Sequence, residues 1–101
     1  MDTRKIIERG GTITFDDISR LDQLADTSMI IDDLKEDLFQ AVFPHDQIID
    51  IGWYPEFCEN GTFRVSLIKA YDWEHPTFSD KARSWTELNK AILNVLNELE
   101  I

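Results

Sequence analysis

The chain has one cysteine, ten lysines and arginines against twenty carboxylates, and no long apolar run. A lone Cys58 cannot form an internal disulfide, so the fold must stand without covalent staples, as suits a reducing compartment. A net charge of −10 leaves too little basic surface to displace counterions from a phosphate backbone. It equally disfavours docking on an anionic membrane. No segment approaches the ~18 apolar residues of a membrane span. The opening MDTRKIIERGG is basic for a few residues, but no apolar stretch of signal-peptide length follows it, and a cytoplasmic protein is expected.

The sequence also lacks the common marks of chemistry. No H-x-x-x-H, C-x-x-C, G-x-G-x-x-G or P-loop occurs, so no metal or cofactor is expected. His45, His75 and Cys58 would need the fold to gather them before they formed a ligand set or a nucleophilic pair. The acidic loop around Cys58, with Glu56 and Glu59, is a poor setting for a thiolate. Carboxylates are so plentiful that a pair suited to acid–base work can be picked almost anywhere, which makes the pattern uninformative without geometry.

What the sequence does have is a core. At 43% hydrophobic residues with three tryptophans, 101 residues make one packed domain, 1–101. TRKIIER reads as a short helix stopped by Gly10 and Gly11, and TITF as a strand or an extended link. In FDDISRLDQLAD, Ile18, Leu21 and Leu24 share a helical face. In DTSMIIDDLKEDLFQAVFP, Ile31, Leu34, Leu38 and Val42 form a stripe, and Pro44 stops the helix. The opposite side of that helix carries Asp32, Asp33, Glu36 and Asp37.

QIIDIGWY and TFRVSLIKA alternate as strands, with Asn60–Gly61 as a turn signal. A strict two-residue turn there would set the two apolar faces on opposite sides, so a longer loop or a bulge is expected, with Pro55 ending regular pairing. TFSDKAR reads as an edge strand with Phe78 and Ala82 inward. SWTELNKAILNVLNEL begins with a Ser84–Glu87 capping box and buries Trp85, Leu88, Ile92, Val95, Leu96 and Leu99. The expected class is α+β: N-terminal helices, a small antiparallel sheet of about three strands, and a C-terminal helix packed on it.

The stretch IDIGWYPEF…NGTFRVSLIK…DW…P…SWTELNKAI, within residues 48–96, resembles bacterial immunity proteins of toxin–immunity systems, including contact-dependent growth inhibition. The resemblance implies a cytoplasmic protein that is not an enzyme. It would bind and block one cognate toxin domain, a basic nuclease and in the narrower reading an RNase, as a monomer in a 1:1 complex. The acidic charge independently suits a basic protein partner. Aromatics ringed by carboxylates suggest the contacts: Tyr54, Glu56, Glu59, Asp72, Trp73 and Glu74, with Asp32, Asp33, Glu36 and Asp37 as a second patch. The competing reading is a small enzyme or ligand-binding domain with its site near the 53–76 hairpin loops.

Overall fold

Alternation of apolar and polar side chains governs more of this chain than helical periodicity does. A computed structural model describes residues 1–100. After a single-turn helix α1 (Arg4–Glu8) come β1 (Thr12–Asp16), a 3-10 segment (Thr27–Asp33), β2 (Phe39–Phe43), β3 (Gln47–Tyr54), β4 (Thr62–Lys69), β5 (Phe78–Ala82) and α2 (Trp85–Leu96). The five strands form one antiparallel sheet in the order β1-β2-β3-β4-β5.

This corrects the expectation of about three strands preceded by helices. The Ile31–Leu34–Leu38–Val42 stripe is not a helical face. FQAVF is a strand, with Phe39, Ala41 and Phe43 buried and Val42 outside. Its β-branched and aromatic residues suit a pleated surface. Pro44 does not stop a helix but opens the β2–β3 turn, where His45 and Asp46 take φ of 67° and 55°. His and Asp enter this left-handed region more readily than most residues.

The expected helix over 15–26 fails for a related reason. Asp16, Asp22 and Asp26 use their carboxylates to accept backbone N–H groups of Ile18, Leu24 and Ser28 at 2.9–3.0 Å. Such local bonds offer the backbone an alternative to the helical ladder. TITF forms part of β1, at one edge of the sheet.

The second half follows the sequence reading closely. Trp53 pairs with Phe63 and Tyr54 with Thr62, and residues 55–61 make the longer loop that the face argument requires. β3 ends at a cis Tyr54–Pro55 bond. β5 is an edge strand with Ala82 buried and Phe78 half-buried. The Ser84 side chain accepts from the Glu87 N–H and the Glu87 carboxylate from the Arg83 N–H, which fixes the start of α2.

The sheet has two unlike faces. One takes Phe39, Ala41, Phe43, Ile49, Ile51, Trp53, Phe63, Val65, Leu67 and Ala82. It packs beneath the α2 stripe and beneath Ile6, Ile18, Leu21 and Leu34 in a single core cluster. Trp53 meets Phe63 edge-on at 4.9 Å, and Phe63 meets Trp85 at 5.1 Å. Among the described residues, the other face contributes nothing to that cluster. It carries Phe15, Gln40, Val42, Ile48, Asp50, Tyr54, Arg64, Ser66, Ile68 and Lys81.

Candidate functional site

The connection between β1 and β2 returns along β3. The Leu38 N–H donates to the Ile51 carbonyl (3.0 Å), the Trp53 N–H to Lys35 (2.8 Å) and the Phe57 N–H to Leu34 (2.9 Å). This close approach needs Gly52, since a Cβ there would run into the Glu36 carbonyl. The result is that Glu36 and Asp37 lie beside Asp50 and Tyr54, and not on a helix. The Glu36 N–H also donates to Glu56 Oε1 at 3.4 Å, which draws the β3–β4 loop into the same group.

The electrostatics tie these residues together. Burial pushes the Asp50 carboxyl above its ordinary value; a hydrogen bond from Gln40 Nε2 (3.2 Å) opposes this and the charge of Asp37 adds to it. Burial likewise raises the Tyr54 phenol, reinforced by Asp50, Glu36 and Asp37 and opposed by Arg64. The Arg64 guanidinium lies over the Tyr54 ring, 4.7 Å from its centroid. Among the described residues, the Asp37 and Glu59 carboxylates have no side-chain hydrogen-bond or ion-pair partner, and Phe57 stands half-exposed between them in sequence.

Other carboxylates are already engaged. Asp17 is paired with Arg20 at 2.5 Å and lies 3.5 Å from Lys35, and the Arg20 hydrogen bond holds its carboxyl below the ordinary range. Asp33, at the end of the 3-10 segment, lies 3.8 Å from Arg20, while Asp32 beside it is exposed. The four acidic residues expected on one helical patch are therefore divided. Asp32 and Asp33 belong to the 3-10 segment, and Glu36 and Asp37 to the β3 flank.

The expected loop site is also divided. Tyr54, Glu56 and Glu59 stand at one end of β4, whereas Asp72, Trp73 and Glu74 stand in the loop beyond its other end. Eight extended residues hold those ends roughly 23 Å apart. At the far end Tyr71 and Trp73 are 65% and 46% exposed, and His75 Nδ1 lies 3.1 Å from Asp72 Oδ1. His45, in the β2–β3 turn, shares that end, because the Ala70 N–H donates to the Asp46 carbonyl at 3.0 Å. Cys58 is at the opposite end, half-buried, with its carbonyl accepting from Trp53 Nε1 at 2.8 Å. The fold therefore separates Cys58 from both histidines.

Sequence reasoning missed Asp50, Arg64 and Gln40. The outward phase of Asp50 and Arg64 is visible in the alternation. Their grouping with Glu36 and Asp37 depends on a β2 strand and a chain return that the helical reading hid. No family model, curated protein or solved structure matches the chain. No helix is long and apolar enough to cross a membrane among the described residues.

Proposed function

We propose that this chain is an immunity-type binding protein of the cytoplasm. It neutralises one basic toxin domain, a nuclease and in the narrower reading an RNase, by covering its catalytic cleft in a 1:1 complex. It acts by binding, not by catalysis. The observation that carries the reading is the convergence of Glu36, Asp37, Asp50 and Glu56 around Tyr54 at one end of the sheet, on a chain of net charge −10. Carboxylates engage the arginines and lysines with which a nuclease holds phosphate. Half-exposed aromatics beside them supply anchoring area. The resemblance of residues 48–96 to immunity proteins supports the same reading.

The test is to mix the purified protein with a candidate basic nuclease domain and measure complex formation and residual nuclease activity. Loss of activity at one equivalent, with a 1:1 mass by light scattering, is the expected result. Candidate domains that retain full activity in a large excess of this protein would overturn it.

A further inference from the structure

The outer face of the sheet holds a notch of about 230 Å³ between Phe15, Asp37 and Gln40. Phe15 and Val42 on this face are 45% and 38% exposed, in a chain whose other strand-borne aromatics in β2 and β4 are buried. Behind the notch the Gln40 amide reaches Asp50. Asp50 sits on β3 opposite Gln40 on one side and Ser66 on the other. It is half-buried, with one side-chain hydrogen bond and no ion pair among the described residues. The basic residues of this face do not answer it: Arg64 is stacked on Tyr54, and Lys81 lies beyond Arg64 on β5.

A half-buried carboxylate with a like charge beside it is unfavourable in the free protein. A cation arriving at the notch would relieve both. Of the two cationic side chains, a planar guanidinium matches the setting better. It pairs with carboxylates through fixed parallel donors and stacks flat on an aromatic wall such as Phe15, whereas an ammonium is a strongly hydrated point charge. We infer that the outer sheet face is a docking surface for the basic partner, and that an arginine of the partner seats in the notch between Asp37 and Gln40 against Phe15, with the Asp50 carboxylate behind Gln40. This rests on the neutralisation reading for the partner's basic character and specifies where and by what side chain it is gripped.

The probes are three blocked peptides, acetyl-Val-Xaa-Val-amide with arginine, lysine or citrulline at the centre, titrated into the ¹⁵N-labelled full chain. The arginine peptide should shift the amides of Phe15, Gln40 and Asp50. The lysine peptide should bind more weakly, and citrulline should leave these amides unmoved. Asp50→Asn, which keeps an acceptor for Gln40, should weaken arginine-peptide binding about tenfold, the low end of the scale for losing a charge-assisted contact. Phe15→Ala, at an exposed position, should also weaken it. Shifts scattered over the whole acidic surface, or equal binding of arginine and lysine peptides, would overturn the inference. So would concentration-dependent dimerisation abolished by Phe15→Ala, which would assign the face to a second copy of this chain. If the peptide ignores the notch while Glu56→Lys still abolishes nuclease neutralisation, the arginine seat is wrong and the neutralisation reading stands.

Discussion

Arg64 lies over the ring of Tyr54, its guanidinium carbon 4.7 Å from the centroid, on the sheet face away from the core. The contact holds the one basic side chain of the hairpin end against its one tyrosine, and it sets the charge seen by a partner there. Replacing Arg64 with alanine should cost about 0.5–1 kcal/mol in urea unfolding, the scale of an exposed cation–π pair. It should also move the Tyr54 phenol further up, because Arg64 is the group that favours the phenolate. Ultraviolet difference titration of the variant reads this directly. An unchanged tyrosine titration would mean that the two groups are not coupled.

Charge reversal should separate the two ends of the sheet. Glu36→Lys and Glu56→Lys should each weaken binding of the proposed toxin domain by about 2–5 kcal/mol where the carboxylate is buried against an arginine. Glu59→Lys should mainly slow association, with an effect that fades at high salt. Asp72→Lys and Glu74→Lys, at the far end, should bind within about twofold of wild type, well under the 1.4 kcal/mol of a tenfold change. Dissociation constants at low and high salt, with circular dichroism to confirm folding, decide the matter. Strong losses at Asp72 or Glu74 would move the interface to the far loop.

Asp50 should make stability depend on pH. Its carboxyl holds a proton more tightly in the folded chain than in the unfolded one. Its contribution is therefore fully present below the ordinary aspartate range and is lost as pH rises through the raised folded value. Asp50→Asn removes that loss. The variant should melt a few degrees above wild type at neutral pH, and the gap should close below about pH 4. A gap that stays constant across this range would show that the Asp50 charge carries no penalty.

Ile92 is 3% exposed in the middle of the α2 stripe, over the β4–β5 half of the core. Truncation to alanine should cost about 2–5 kcal/mol. A loss within about 0.5 kcal/mol, the range of a surface substitution, would place the stripe outside the core.

Residues 47–96 were legible because each segment there has a single consistent period. Ile49, Ile51 and Trp53 alternate; Leu88, Ile92 and Val95 recur at helical spacing; and Ser84–Glu87 marks where one pattern gives way to the other. That the β3–β4 connection is longer than a two-residue turn followed from keeping the two apolar faces on one side, while its extent over 55–61 did not. The first half was misread because spacings of three and four residues arise by chance. Ile31, Leu34 and Leu38 fit a helix as well as they fit a chain that kinks, returns and becomes a strand. The discriminating signs were local. FQAVF carries aromatic and β-branched residues on alternating faces, P-H-D supplies a turn before another alternating run, and repeated aspartates supply side-chain acceptors for turns. The acidic group around Tyr54 was hidden for the same reason, since Glu36 and Asp37 reach Asp50 only after the chain return that Gly52 permits.

The unbroken β1-to-β5 order implies a sequence of assembly. Four strands, β2 to β5, are joined by successive short connections and capped by α2, so their contacts are close along the chain and form with little loop entropy. β1 alone must wait for residues 17–38 to fold back. It is thus the natural last strand to zip and the first to peel, and its amides should exchange with solvent sooner than those of β3. Peeling would open one wall of the Phe15 notch without disturbing α2. Partner binding at that notch would in turn slow exchange across β1, a whole strand reporting the occupancy of one small seat.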